Sequence, residues 1–269
     1  MDELSADQLK ERGDKNSAVG NYKIAIEDYT NAIKKNPKFG RAYNNRGNAK
    51  KNLGNFNDAL NDYLKGIEVE PSLPHNYHNA GASYLELGEY NKPLKYFSKA
   101  IELKDNPSKS ESFRLRGLCK INLNLSQESL TDLKKSLEIN PNNIESIGCI
   151  AYAKWQLGKN DEALTAANKV LRIDSDCKMA LLARGLCRVD LNKNYEAISD
   201  FNKVLREQIV PIGFLARGIA WKELNNHKKA IDDFTSALNA APKLPPAYFN
   251  RAESQIIIGE YEKALIDIN

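Results

Sequence analysis

Histidine and cysteine are the residues of this sequence whose chemistry would suit a metal ion or a nucleophile. His75 and His78 lie three residues apart, which places both side chains on one side of a helix, a spacing that can serve a metal. No cysteine or acidic residue stands nearby with ligand spacing. We therefore favour a solvated or hydrogen-bonded histidine pair, and we expect neither a metal nor another cofactor.

The four cysteines form no Cys-x-x-Cys pair, so they contain neither a redox motif nor a zinc motif of that kind. Four thiols in a chain of 269 residues also do not resemble the disulfide framework of a small secreted protein. We expect buried thiols in a reducing compartment, at Cys119, Cys149, Cys177 and Cys187.

Sequence motifs of the common enzyme classes are missing from the chain. It contains no GxGxxG, GxxxxGK[S/T], GxSxG or HExxH motif. Pairs of Asp and Glu are abundant, but carboxylates at helical spacing usually form solvated surfaces. The sequence therefore predicts a protein that is not an enzyme.

The net charge alone gives little information about the class of partner. The 39 basic and 35 acidic residues give a formal charge of +4, which is too small to predict a nucleic-acid or membrane partner. The first residues are charged and lack the apolar stretch of a signal peptide, and no apolar run is long enough for a membrane span. We expect a soluble, cytoplasmic protein.

A repeat of about 34 residues runs through the chain and must position any functional side chain. A bulky residue, in most repeats aromatic, follows sixteen residues after the small residue in every repeat except the fifth, which has Ala167 there. Small residues let two helices approach closely, and the bulky residues fill the space between helices. The small residues are Gly13, Gly47, Gly81, Gly117, Ala151, Gly185, Gly218 and Ala252.

Turn signals separate the two halves of each repeat. Glycine recurs where the end of a first helix needs a left-handed residue, and proline recurs where a second helix ends. Ser5 followed by Gln8 predicts a capping box for the first helix. The glycines are Gly20, Gly54, Gly88, Gly158 and Gly259, and the prolines are Pro37, Pro71, Pro141 and Pro242.

These residues resemble the tetratricopeptide repeat family, most closely in the stretch from Arg41 to Pro71. The resemblance implies an all-α fold, a right-handed superhelical solenoid of antiparallel helix pairs that spans 1–269 as one domain. The last repeat is truncated and lacks a polar cap, so we expect a part of something longer. The repeats are 6–39, 40–73, 74–109, 110–143, 144–177, 178–210, 211–244 and 245–269.

Arginine and aspartate vary together along the repeats. An arginine precedes the small residue in six repeats, and an aspartate follows it sixteen residues later in the same six. The two repeats without the arginine, at Ala80 and Ile150, also lack the aspartate. Because a planar guanidinium can meet a carboxylate at two points, we predict an ion pair between the two helices of each repeat.

The resemblance implies a concave groove, lined by the first helix of each repeat, that binds a protein or peptide ligand. Groove positions of the second and third repeats are polar and rich in amides, which can bond a peptide backbone. From the fourth repeat on, the same positions turn apolar, which predicts either an apolar binding groove or packing between repeats. The predicted contact residues are Arg41, Asn44, Asn45, Asn48, Lys51, His78, Asn79, Leu115, Leu118, Tyr152, Trp155, Leu182, Leu186, Leu215 and Ile219.

Some members of the family bind a C-terminal carboxylate through a clamp of five residues. Only Lys10 and Asn45 match that clamp here, while Asp14, His75 and Asn79 depart from it, so this use is not expected. Other members use a ladder of asparagines, which here would be interrupted at Glu11 and at the positions of Leu115, Cys149, Ala183 and Ala216.

We therefore predict a non-catalytic scaffold that binds a peptide or an extended protein segment. A regulatory or targeting portion of a longer protein, even an enzyme, is the first alternative. RNA binding by helical repeats is the second, which the low net charge and apolar groove disfavour. The oligomeric state does not follow from the sequence.

Overall fold

Helices make up the regular structure of the chain. The computed structural model describes residues 4–206 and 210–268, which contain sixteen helices and no strand. The helices are α1 (Ala6–Ala18), α2 (Tyr22–Lys35), α3 (Gly40–Asn52), α4 (Phe56–Val69), α5 (Pro74–Glu86), α6 (Lys92–Glu102), α7 (Lys109–Asn122), α8 (Ser126–Ile139), α9 (Ile144–Gln156), α10 (Asn160–Leu171), α11 (Lys178–Asp190), α12 (Asn194–Val204), α13 (Pro211–Glu223), α14 (His227–Ala240), α15 (Pro245–Ile257) and α16 (Tyr261–Ile268).

The helices form two compact units, Met1–Pro141 with α1 to α8 and Asn142–Asn269 with α9 to α16. Each repeat contributes one antiparallel pair, whose first and second helices we call helix A and helix B. Within a unit, each helix B also packs against helix A of the next repeat. The predicted all-helical repeat solenoid is confirmed in this respect.

Glycine lets the two helices of a pair approach closely. A Cβ atom added at Gly47 would lie 2.6 Å from Cε1 of Tyr63, and one added at Gly185 would lie 2.6 Å from Cε1 of Phe201. Both rings are fully buried. The fifth repeat has the opposite distribution of side-chain size. Its helix B residue is the small Ala167, and its helix A residue is Ala151 instead of glycine.

The turns between helix A and helix B follow the predicted pattern and extend it. The five predicted glycines all have positive φ, between 72° and 81°. Three asparagines adopt the left-handed conformation in the repeats that lack such a glycine, namely Asn124, Asn192 and Asn225. Ser5 and Gln8 form the predicted capping box, with the Gln8 amide donating to Ser5 Oγ.

The predicted ion pairs join helix A to helix B in six repeats. Arg46 donates from Nε to Asp62 Oδ2 at 2.9 Å and from Nη2 to Asp62 Oδ1 at 2.7 Å. The aspartate side chains are almost fully buried in these pairs. The prediction is confirmed for Arg12–Asp28, Arg46–Asp62, Arg116–Asp132, Arg184–Asp200, Arg217–Asp233 and Arg251–Asp267.

A second partner of these arginines lies in the preceding repeat. Arg46 Nη1 donates to Thr30 Oγ1 at 3.2 Å, and Arg116 Nη1 donates to Ser98 Oγ at 2.8 Å. In the third repeat, where Ala80 replaces the arginine, the preceding residue is Leu64 and the junction is apolar. The same guanidinium therefore ties helix A to its own helix B and to the previous one.

In the second unit, α9 packs directly against α11, which is a helix A against the next helix A. Gly148 allows this approach, because a Cβ atom there would lie 3.2 Å from Cβ of Met179 and 3.3 Å from Sγ of Cys177. The close approach decides which side chains of this face remain accessible.

Candidate functional site

A ladder of hydrogen bonds crosses the helix A face of the first unit. Asp14 of α1 accepts two bonds on Oδ1, one from the Asn45 amide of α3 at 2.8 Å and one from the Tyr29 hydroxyl at 2.9 Å. Lys10 neutralises the same carboxylate, with Nζ 2.6 Å from Oδ2. The Asn45 amide is therefore held in a fixed orientation at the surface.

The next step of the ladder repeats this geometry one repeat later. Asn48 of α3 accepts on Oδ1 from the Asn79 amide of α5 at 3.2 Å and from the Tyr63 hydroxyl at 2.8 Å. We call Asp14, Asn45, Asn48 and Asn79 the amide ladder. The interruption predicted at Glu11 does not prevent it, because Asp14 occupies the accepting position.

The positions of the tyrosines in the sequence could have predicted the amide ladder. The bulky residue of a repeat is tyrosine only where a polar residue follows the small residue, as in the pairs Asp14–Tyr29 and Asn48–Tyr63. In the third repeat the corresponding residues are Ala82 and Phe97, and the ladder ends. Burial raises the pKa of Tyr63 well above its ordinary value, so this phenol stays protonated and donates.

A second layer of amides lies beneath the ladder. Asn44 is buried and donates from Nδ2 to Oδ1 of the fully buried Asn76 at 3.0 Å. Gly66 of α4 makes room for Asn76, because a Cβ atom there would lie 2.6 Å from Asn76 Nδ2. Asn44 thus supports the face and offers little surface to a ligand.

An open cavity of about 550 Å³ lies beside the amide ladder, and we call it the basic cavity. Its walls come from the face of α1 and α3, the start of α5 and two loops that each follow a helix B. The lining residues are Lys10, Arg41, Asn44, Asn45, Ser72, Leu73, Pro74, His75, Lys104 and Asp105.

The structure separates the predicted polar contact residues by accessibility. Arg41 and Lys51 are exposed, whereas Asn45, Asn48, His78 and Asn79 are half-buried. His78 Nδ1 lies 2.9 Å from Ser112 Oγ, and burial lowers the pKa of His78 to about 4. The uncharged imidazole of His78 is therefore part of the interior of this face more than of its surface.

Four of the predicted apolar contact residues need correction, because the structure buries them. They are Tyr152, Leu182, Leu186 and Leu215, all less than 10% exposed. The first three lie on α9 and α11, which pack against each other, and Leu215 belongs to a core cluster with Phe234 and Ala247. Leu115, Leu118, Trp155 and Ile219 are half-buried and retain accessible surface.

Trp155 combines packing with a polar contact. Its indole Nε1 donates to Asp190 Oδ2 of α11 at 2.9 Å, and its ring lies 5.3 Å from that of Tyr152. Asn160 donates to the same Asp190 oxygen at 3.3 Å. Trp155 therefore has a structural role between successive repeats in addition to the surface that it exposes.

No other chemistry emerges from the part of the chain that the structure describes. Within it, no cluster of three His, Cys, Asp or Glu residues is arranged to hold a metal ion, and no helix is long and apolar enough to cross a membrane. All four cysteines are buried thiols, and none of them forms a disulfide bond. Burial raises the pKa of Cys119 to about 12 and that of Cys187 to about 11, which keeps these thiols protonated.

Comparison with known proteins agrees with the repeat geometry. Three tetratricopeptide repeat family models match the chain, at residues 40–73, 74–107 and 150–210. The chain belongs to the tetratricopeptide repeat (TPR) family. No curated protein sequence is significantly similar to that of this TPR protein.

Several solved structures share the TPR fold of this chain. A tetratricopeptide repeat protein from Parabacteroides merdae is 21% identical over 97% of this chain and 98% of its own, with a TM-score of 0.69. YrrB, described as a TPR protein with an unusual peptide-binding site, is 21% identical over 82% and 96%, with a TM-score of 0.51. Human IFIT1, solved as a dimer with m7Gppp-AAAA, is 16% identical over 99% and 68%, with a TM-score of 0.66. At these identities the likeness concerns the fold.

Proposed function

We propose that this TPR chain is a non-catalytic scaffold that binds an extended segment of a partner protein on the helix A face of its first unit. The family and the fold support a protein-interaction scaffold. The observation that carries the proposal is the open basic cavity of about 550 Å³ beside the amide ladder, whose polar side chains are held by hydrogen bonds.

The amides of the ladder suit a peptide backbone. Asn45 and Asn79 each use one amide hydrogen within the ladder, which fixes the side chain and leaves a second hydrogen on the same nitrogen. In the described part of the chain, no donor bonds to the side-chain oxygen of either residue. Because these groups are already ordered, a bound segment would not have to immobilise them.

The accessible apolar residues add a second kind of contact. In the first unit, Leu115 and Leu118 of α7 would receive apolar side chains of the segment. In the second unit we propose Trp155 and Ile219 as separate contacts and leave out the buried Tyr152, Leu182, Leu186 and Leu215. The peptide-binding site named for YrrB supports binding of this general kind in the shared fold.

A peptide library displayed on phage tests the proposal. Peptides selected on the intact chain should lose affinity for the Asn45→Ala, Asn79→Ala variant and retain it for Asn57→Ala, Asn61→Ala. The control pair is exposed on α4, a helix B, so it removes two amides outside the face. Circular dichroism melts would show that both variants stay folded.

Two outcomes would contradict the proposal. Equal affinity of the selected peptides for the control variant and the ladder variant would place them elsewhere on the chain. Failure to enrich any peptide, together with binding of a single-stranded RNA oligonucleotide that weakens with rising salt, would favour the RNA alternative. A regulatory portion of a longer protein would bind a segment in the same way, so this test does not distinguish that alternative from the scaffold.

A further inference from the structure

Two of the helices B in the second unit end in the same five-residue sequence. Asn-Lys-Val-Leu-Arg occurs at 168–172, at the end of α10, and at 202–206, at the end of α12. In both segments the valine is buried, and the asparagine accepts a hydrogen bond from an arginine of the next repeat. Arg217 Nη1, for example, lies 2.7 Å from Asn202 Oδ1. These contacts anchor both segments and leave the lysine and the arginine of each one exposed.

The exposed cations of the two segments form what we call the cationic patch, which consists of Lys169, Arg172, Lys203 and Arg206. Residues three apart on a helix lie on the same side, so each helix end presents its lysine and its arginine together. In the described part of the chain, none of the four side chains has a carboxylate at ion-pair distance. The patch therefore carries positive charge that no nearby acidic side chain neutralises.

The corresponding positions of the first unit are neutralised. Lys65 pairs with Glu68 at 2.7 Å at the end of α4, and Lys99 pairs with Glu102 at 3.4 Å at the end of α6. The glutamates occupy the positions that the two arginines of the cationic patch occupy in the second unit. A cation near a helix C-terminus stabilises the helix dipole, which would be a structural reason for arginine. Because α4 and α6 form with glutamate there, the fold does not require it.

We propose that the cationic patch binds an acidic segment of a partner protein. Each arginine would meet a carboxylate with its planar guanidinium, and each lysine would meet another as a point charge. The patch lies on helix B ends of the second unit, whereas the proposed peptide site lies on the helix A face of the first unit. The inference therefore adds a second interaction surface and does not rest on the proposed function.

The surroundings of the patch favour a protein segment over a uniform polyanion. Lys169 also lines a cavity of about 330 Å³, together with Ile147, Asp161 and Glu162. Lys154 neutralises Glu162 at 3.0 Å, but Asp161 would repel the phosphates of RNA or of an anionic membrane. No aromatic residue lines the cavity to stack on a base. A protein segment can place acidic residues on the patch and a neutral residue beside Asp161.

Fluorescence anisotropy on the intact chain tests the charge requirement. The probe is a short labelled peptide in which Glu alternates with Ala, and the control peptide has Gln in place of every Glu. The Glu peptide should bind at least about tenfold more tightly, and its affinity should fall as salt is added. The variant Arg172→Glu, Arg206→Glu introduces the residue type that α4 and α6 carry at this position, so it should fold and lose the preference.

A matched variant separates the patch from the net charge of the chain. Lys23→Glu, Lys228→Glu makes the same change of charge at exposed positions in the first turns of α2 and α14. It should keep the preference for the Glu peptide, and circular dichroism melts would show that both variants are folded. An equal loss in both variants, or no preference in the parent chain, would overturn the inference.

The variant Asn45→Ala, Asn79→Ala distinguishes the two surfaces. It should bind the Glu peptide as tightly as the parent chain does, whether or not it binds peptides selected on phage. Loss of the Glu peptide in this variant would move the acidic segment to the helix A face and overturn the inference. Phosphatidylserine vesicles or single-stranded RNA provide the remaining comparison. Binding of either one to the patch without binding of the Glu peptide would also overturn it.

Discussion

Arg46 bonds to Asp62 in its own repeat and to Thr30 in the preceding repeat, so one guanidinium joins three helices. The bonds to Asp62 measure 2.9 and 2.7 Å, and the bond to Thr30 measures 3.2 Å. Lys50 adds a second cation at 2.8 Å from the same aspartate. Asp62 is therefore the one buried acceptor on which two basic side chains depend.

Removal of that acceptor should destabilise the chain strongly. In Asp62→Ala, Arg46 and Lys50 lose their counter-charge in a largely buried site, which typically costs about 3–5 kcal/mol. Urea denaturation would measure the loss. Glu68→Ala breaks an exposed ion pair with Lys65 and should cost about 0–1 kcal/mol. Similar losses in both variants would show that the Asp62 site gains nothing from its burial.

The fifth repeat allows a test of size matching between helix A and helix B. Ala167→Phe would restore the usual bulky residue but would press its ring against the Ala151 methyl, where other repeats have glycine. We expect a loss of about 1–3 kcal/mol. Adding Ala151→Gly should recover part of this loss, as measured by thermal unfolding. A double variant that loses more stability than the two single variants lose together would contradict this explanation.

The unfolding free energy should fall in mild acid because of His78. Burial lowers the pKa of His78 from 6.5 to about 4 in the folded chain, so the unfolded chain takes up the proton first as the pH falls below 6.5. The nearby Glu111 opposes this effect, while His75, Lys51 and Arg114 reinforce it. The full difference corresponds to about 3 kcal/mol, lost between about pH 6.5 and 4.

The variant His78→Asn isolates this contribution, because it keeps a polar group near Ser112 and removes the titration. Urea denaturation at several pH values should show a flatter decline between pH 6.5 and 4 than in the parent chain. His75→Asn, at an exposed position, should change the decline much less, because the charge of His75 lowers the pKa of His78 less than burial does. An unaltered decline in His78→Asn would assign the acid sensitivity to the carboxylates.

Trp155 should respond differently to two substitutions. Trp155→Phe keeps an aromatic ring beside Tyr152 and loses the bond to Asp190, which we expect to cost about 0.5–1.5 kcal/mol. Trp155→Ala also loses the packing and should be less stable still. Thermal melts and peptide titrations on both variants separate the roles. Unchanged affinity in a folded Trp155→Ala variant would remove Trp155 from the proposed contacts.

The sequence predicted those features that depend on spacing along one repeat. The arginine and the aspartate are sixteen residues apart in every such pair, as Arg46 and Asp62 are. Gly47 and Tyr63 are separated by the same number of residues, across the same short turn. Such contacts follow once two helices and a turn are specified. The contact to Thr30 and the tyrosines of the amide ladder also follow regular patterns in the sequence. The prediction did not include them because it considered only the arginine and aspartate of one repeat.

Accessibility could not be predicted in the same way. Leu186 occupies a groove position, yet it is buried on α11, a helix that packs against α9. The distance between two such helices depends on packing between repeats, which the spacing of residues along the sequence does not determine. The contribution of Lys104 to the basic cavity likewise depends on the path of a loop that has no counterpart in the other repeats.

The connections between repeats also restrict how such an array can be recombined in evolution. In the second repeat, Arg46 bonds to Thr30 of the first repeat, and Leu64 packs in an apolar cluster with Ala80 of the third repeat. The third repeat ends with Ser98, which again receives an arginine. The second and third repeats together therefore have an arginine–hydroxyl contact at both ends, whereas neither repeat alone does. A duplication that copies this pair preserves every junction, whereas copying one repeat places an arginine against leucine or an alanine against a hydroxyl.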